Sequence, residues 1–378
     1  RLRYDRPQTK EGKTMTPHVQ PPSPARLPCI CCPPWERRHA APATRRKSAT
    51  SRSATVRSGD SATGVPLNAV SIDVHHHISP RAYVDAVGAE NLVNSYPASR
   101  KAAYEWTPEV SLEDMDRGGT ATAITSIWNG THIARTANPR RLARECNEFA
   151  ANMVRDYPGR FGMFAAIPLP DVEGSLLEID YALDVLKADG VYMVTSYDNK
   201  WLGHPSFAPV WEELNRRGAI VYTHPHAPDC CAGILPGIPD AAIEYGTDTT
   251  RAIASLVFSG TATRCPDIKF IFSHAGGTMP FLVERLTMLP KLNANFGKVL
   301  PSDQVIPTLR RFYYDTAQAS HPGALLSLLN LVNVSQVVFG TDFPYRTSLD
   351  HVKGLLGMGF SLDDLTAIES RNARRMLG

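Results

Sequence analysis

Eight short, nearly continuous apolar runs, alternating with stretches of helical period, predict an α/β protein folded as a (β/α)8 TIM barrel. Two further observations support it. The runs occupy about 300 residues, the usual size of such a barrel, and their C-terminal ends gather His and Asp side chains, as the catalytic face of a barrel does.

The runs fall at residues 70–75, 121–128, 161–168, 191–197, 219–223, 268–273, 312–316 and 337–340. Unbroken apolar cores suit strands covered on both faces, where a half-exposed strand would alternate. Helices are expected at 139–156, 174–187, 207–217, 248–259, 280–289 and 322–332. Ser111 with Asp114 reads as a capping box that opens a short helix ahead of the second strand. A doubly wound sheet is the competing arrangement, but no Gly-rich phosphate loop follows the first run.

The folded domain is expected over residues 66–378, and residues 1–65 are expected to be a disordered leader. The leader is rich in Pro, Arg, Ser, Thr and Ala, with too few apolar residues to offset its ordering entropy. It is basic and poor in acids, as organellar transit peptides are, and it lacks the apolar core of a secretory signal. It opens on Arg1, which suits a fragment, a cloning remnant or an over-long reading frame. Residues 1–70 hold 13 Lys/Arg against 4 Asp/Glu; from the totals of 40 and 37, the other 308 residues hold 27 and 33. The formal charge of +3 therefore belongs to the leader, and the domain itself, at −6, offers no basic face for nucleic acid. No apolar run reaches 18 residues, so no membrane span is expected. Seven scattered cysteines point to a reducing, cytoplasmic setting rather than a disulfide framework. Cys29, Cys31 and Cys32 lack a fourth partner for a metal.

The first run ends Asp73-Val74-His75-His76-His77. Positions two apart on a strand point the same way, so His75 and His77 can aim at one point while His76 turns aside. The fifth run ends Thr223-His224-Pro225-His226, the sixth Ser273-His274-Ala275-Gly276-Gly277, and the eighth Gly340-Thr341-Asp342-Phe343-Pro344. A single histidine here is more often structural, and a single Asp after Gly-Thr is more often a cap or turn former. Four strand ends carrying such residues at one mouth are a candidate active site.

In this order, the His-x-His, His-Pro, Ser-His-x-Gly-Gly and Gly-Thr-Asp-x-Pro blocks resemble the amidohydrolase superfamily. The branch they resemble most holds the aminocarboxymuconate-semialdehyde, hydroxybenzoate and 6-methylsalicylate decarboxylases. The likeness runs from Ser71 to the C-terminus and includes Phe207-Ala208-Pro209-Val210-Trp211 and Asn372-Ala373-Arg374-Arg375. It implies a metal held by His75, His77, His224 and Asp342, with His274 beside it as acid/base and Asp342 sharing the catalytic role. Three imidazoles and a carboxylate suit zinc, with manganese also compatible. Two-metal relatives bridge their ions with a Lys after the fourth strand; here Val194-Thr195-Ser196-Tyr197 offers none, which favours one divalent ion per chain.

The expected reaction is non-oxidative decarboxylation of a hydroxylated aromatic or muconate-like acid, the proton coming from His274 or Asp342. Metal-dependent hydrolysis, for instance of a lactone, is the alternative on the same barrel, and a non-catalytic barrel is the third reading. Arg251 could hold a substrate carboxylate or pair within its helix. Trp128, Phe343 and Tyr345 could wall a ring pocket, although aromatics at strand ends are often plain core. His76 and His226 are expected to play supporting roles. The resemblance implies a homo-oligomer acting on a small-molecule carboxylic acid.

Overall fold

The computed structural model describes residues 70–88 and 104–378; the leader expected over residues 1–65 lies outside the described residues. Eight parallel strands appear in sequence order: β1 (Ser71–Ile78), β2 (Thr120–Ile127), β3 (Phe161–Ala166), β4 (Gly190–Val194), β5 (Ile220–His224), β6 (Lys269–Phe272), β7 (Tyr313–Asp315) and β8 (Val337–Val338). Each pairs with its neighbour in chain order. The ring closes between β1 and the segment leaving β8. Val74 N–H donates to the Phe339 carbonyl at 3.0 Å, Asp342 N–H to that of His75 at 2.9 Å, and His77 N–H to that of Phe343 at 2.9 Å. The barrel read from the sequence is the fold observed.

Helices α1 (Pro108–Gly118), α2 (Pro139–Asp156), α3 (Val172–Asp180), α4 (Ala208–Arg216), α5 (Glu244–Phe258), α6 (Met279–Leu292), α7 (Pro322–Leu329) and α8 (Ser348–Leu356) accompany the strands. In α2, Asn138 accepts from Arg141 N–H as N-cap, and Pro139 takes the first turn, where its missing N–H has no bond to lose. Leu142, Ala143, Cys146, Asn147, Ala150 and Met153 then recur at helical spacing as its buried face. Burying a side chain the size of Leu142 or Met153 contributes roughly 1.5–3 kcal/mol.

Two expectations are corrected. Ser111 does not cap α1: Thr107 is the N-cap, Pro108 opens the helix, and the Ser111 hydroxyl instead meets His76 Nε2 and Trp106 Nε1, each at 2.9 Å. Asp114 faces the other way and accepts from Ser348 N–H and Oγ, which pins α1 to α8. The fourth apolar run is also not one strand through residue 197. It ends at Val194, and Ser196–Tyr197 turns back antiparallel on Lys200–Trp201. Among the described residues no helix is long and apolar enough to cross a membrane.

The barrel interior is filled by aromatic side chains. Phe164 and Tyr192 lie with ring centroids 5.5 and 5.9 Å from that of Tyr222, and the His75 ring sits 5.3 Å from Tyr222. This packed layer is the floor of the candidate site.

Candidate metal centre

β1 brings His75 and His77 to one face, and both are buried. His76, between them, turns aside as the strand period requires. Its ring stacks on Phe343 at 4.4 Å, and Nδ1 meets Asp73 Oδ2 at 3.0 Å. Asp73 is the clamp of this corner, since it also accepts from His75 N–H, Thr341 N–H and Thr341 Oγ1. That clamp presents Asp342 opposite β1.

The Asp342 carboxylate has two distinct edges. Oδ1 lies 3.2 Å from His75 Nε2, 3.2 Å from His77 Nε2 and 3.9 Å from His224 Nε2. Oδ2 accepts from Gln318 Nε2 at 2.9 Å and lies 3.3 Å from His274 Nε2. On the Oδ1 edge, His75 Nδ1 meets Asp315 Oδ2 at 2.8 Å. A carboxylate only accepts, so His75 donates from Nδ1, and a cation replacing the second ring proton would find the Nε2 lone pair turned inward. That lone pair is 3.1 Å from His77 Nε2. Both ring nitrogens of His224 and Asp342 Oδ1 are buried without a hydrogen bond. Ring nitrogens and a carboxylate oxygen crowded together, with those of His224 and Asp342 Oδ1 left unpartnered, call for a cation. His75, His224, His274 and Asp342 each offer a donor atom, all within 4.8 Å of one another, and this set fits a divalent metal.

The electrostatics agree. Burial alone would depress His75, but the Asp315 and Asp342 carboxylates overcome it and push the imidazole up to about 10, so without a cation a proton on Nε2 takes the place a metal would fill. Burial drives His77 below its ordinary value, with Asp342 opposing, and drives His224 well below. Burial works against the Asp342 anion, yet His75 and the surrounding imidazoles hold it well below the carboxylate range. The site thus keeps one full carboxylate and favours positive charge beside it.

Three of the converging residues sit on left-handed backbone: His274 at φ 56°, Gln318 at 55° and Asp342 at 62°. Such conformations cost about 1–3 kcal/mol in non-glycine residues and persist where the surroundings fix them. Here Asp315 accepts from His274 N–H, and His351 accepts from Gln318 N–H. Gly277, also left-handed at φ 64°, lets the loop after β6 press on α5; a Cβ there would meet the Gly246 carbonyl oxygen at 2.0 Å.

A cavity of about 420 Å³ opens over the centre, lined among others by His274, Asp342, Gln318, Tyr245 and Tyr345. Of the aromatic residues expected to wall a ring pocket, Tyr345 lines it. Trp128 stands behind, its ring 4.3 Å from that of Tyr345 and 6.1 Å from His77. Phe343 packs on His76 instead. The Arg251 guanidinium lies outside this lining, 3.2 Å from Glu244 and 3.7 Å from Asp248 on its own helix. His226 bonds Ser196 and the Ala227 carbonyl, away from the centre. Asp315 and Gln318 were not singled out from the sequence, although Asp315 follows the rule that found the others: a carboxylate at the end of an apolar run.

The family profile described as Amidohydrolase matches residues 72–378. The chain is 38% identical over 289 residues to the decarboxylase yanB of Aspergillus niger, covering 72% of this chain and 77% of that protein. It is 37% identical over 282 residues to the 6-methylsalicylic acid decarboxylase of Penicillium expansum, covering 72% and 84%. Its fold resembles the dihydroxybenzoic acid decarboxylase of Polaromonas sp. JS666, crystallised with manganese and the inhibitor 2-nitroresorcinol. The TM-score is 0.69 at 20% identity, over 81% of this chain and 96% of that one.

Proposed function

The chain belongs to the amidohydrolase family, and from that premise we propose that it removes CO₂ from a hydroxylated aromatic acid of the 6-methylsalicylate kind. The enzyme is a metal-dependent carboxy-lyase. The observation that carries the reading is the undonated convergence on Asp342 Oδ1, roofed by a cavity of about 420 Å³ with Tyr345 in its wall.

His75, His77, His224 and Asp342 Oδ1 are the proposed ligands, while His274, also within reach of the centre, faces the other oxygen, Oδ2, and is left as the acid; residues 66–378 are the proposed catalytic domain. Zinc is the proposed metal for this donor set, with manganese its competitor. When bound, the metal supplies charge that anchors the substrate carboxylate and draws electron density from the ring. His274 delivers a proton to the ring carbon bearing the carboxylate. The carbon–carbon bond then breaks, its electron pair returns to the ring, and CO₂ leaves. Asp342, held anionic, faces His274 Nε2 through Oδ2 at 3.3 Å and orients the ring. Tyr345, backed by Trp128, walls the ring. The buried free thiols of Cys146 and Cys265 suit the reducing, cytoplasmic setting proposed for it.

The deciding experiment measures metal content and CO₂ release on a panel of hydroxybenzoates that includes 6-methylsalicylate, for wild type and Asp342→Ala in parallel. About one metal per chain, lost in the variant together with CO₂ release, is expected. A wild type that stays metal-free after supplementation would overturn the metal centre. Metal without CO₂ from any acid would move the reaction to hydrolysis.

A further inference from the structure

Gln318, between β7 and α7, is fixed at both ends. Its backbone N–H donates to His351 Nε2 at 3.1 Å, and His351 Nδ1 faces the Thr347 carbonyl oxygen at 3.1 Å. A carbonyl only accepts, so buried His351 carries its proton on Nδ1 and presents a lone pair to Gln318. The same reasoning orients the Gln318 amide. Asp342 Oδ2, 2.9 Å away, also only accepts, so the facing atom is Nε2 and the amide cannot be flipped. Oε1 is left with no donor among the described residues. It is an acceptor held in the wall of the cavity, on a side chain that touches the same carboxylate as His274.

From this we infer that Gln318 is a specificity-determining residue: its Oε1 accepts a hydrogen bond from a hydroxyl group of the substrate. The inference rests on the decarboxylase reading of this cavity. An ionised carboxylate has no proton to give Oε1 and is repelled by it, which favours placing the carboxylate away from Gln318. A ring hydroxyl donates, whereas the corresponding methyl ether cannot. The residue thereby selects hydroxylated acids and sets which end of the ring approaches His274. Gln318 is exposed to the cavity, so the penalty arises when a bound ring covers Oε1 and displaces its water: an acceptor then left without a donor disfavours the wrong ligand.

The test uses the full chain as purified and compares wild type with Gln318→Leu and Gln318→Asn, the second keeping the amide but too short to span both contacts. Calorimetry gives the Kd of each monohydroxybenzoate and of its methoxy counterpart, and CO₂ release is recorded in parallel. Wild type is expected to bind at least one hydroxy acid about tenfold tighter than its ether, and both variants to bring that ratio near one. A ratio unchanged in the variants, or no preference in wild type, overturns the contact, even if loss of the Asp342 bond slows turnover of every acid alike. A preference lost in the variants without CO₂ from any protein would support the contact while retiring the reaction.

Discussion

Asp315 Oδ2 lies 2.8 Å from His75 Nδ1, with both side chains fully buried. The carboxylate fixes the tautomer of the imidazole and, through its other oxygen, the backbone of His274 and Ala317. Asp315→Asn is therefore expected to weaken metal binding about 10- to 100-fold while leaving the proposed ligands in place. Titration of the chelator-treated protein with zinc, followed by competition with a chromophoric chelator, reads this directly. Unchanged affinity would show that His75 is oriented by packing alone.

Gly340 owes its identity to the same corner. A Cβ there would stand 2.9 Å from the Cβ atoms of both His75 and Asp315. Gly340→Ala should destabilise the protein by about 1–3 kcal/mol and lower its metal content, because the side chains that must give way belong to the centre. Urea denaturation at matched metal loading separates the two effects.

The metal-free protein should lose stability on mild acidification. Burial, then Arg135, pushes His132 from 6.5 down to about 4, and burial also lowers His224 and His77. With the folded pKa below the unfolded one, the unfolded chain takes up protons first. Stability is therefore intact above pH about 6.5 and falls as pH drops toward 4, by on the order of 1–2 kcal/mol from His132 at pH 5. His75, pushed up to about 10, acts the other way, but only between about 6.5 and 10. Urea midpoints at pH 7 and pH 5 check the sign. In His132→Gln the fall should be smaller.

Arg251→Ala distinguishes a substrate anchor from a helix ion pair. The guanidinium is about one-third exposed and held by Glu244, so the expected loss of stability is under about 1 kcal/mol, with KM changed less than threefold. A KM raised tenfold or more at constant kcat would restore the anchor role.

Strand count, strand order and the His and Asp residues at four strand ends were legible in the sequence, because periods of two and 3.6 and the barrel's catalytic face follow from local chemistry. Pairings across the ring were not. Asp315 meets His75 over 240 positions, and no local pattern announces it. Ser111 was misread because Ser followed by Asp fits a cap locally. The nearby Thr107-Pro108 start is the stronger signal, and it frees Ser111 to hold His76. The fourth run looked continuous because Thr195, Ser196 and Tyr197 suit a strand. Burial of Thr195 against Asp248 and the tight return at Lys200 decide its end. Gln318 carried no motif, since its role comes from being turned by left-handed backbone toward Asp342.

The bonds that close the ring, Asp342 N–H to the His75 carbonyl and His77 N–H to that of Phe343, involve three of the four residues proposed to hold the metal. First and last strands, more than 250 positions apart, thus meet at the very groups a cation would gather, while β8 itself adds only two paired residues. An ion there would act as a clasp on the hoop as well as a reagent. Stripping it should loosen amide protection first along this one seam and leave the opposite staves untouched. Substitutions that retune the chemistry would then also change how tightly the barrel is fastened.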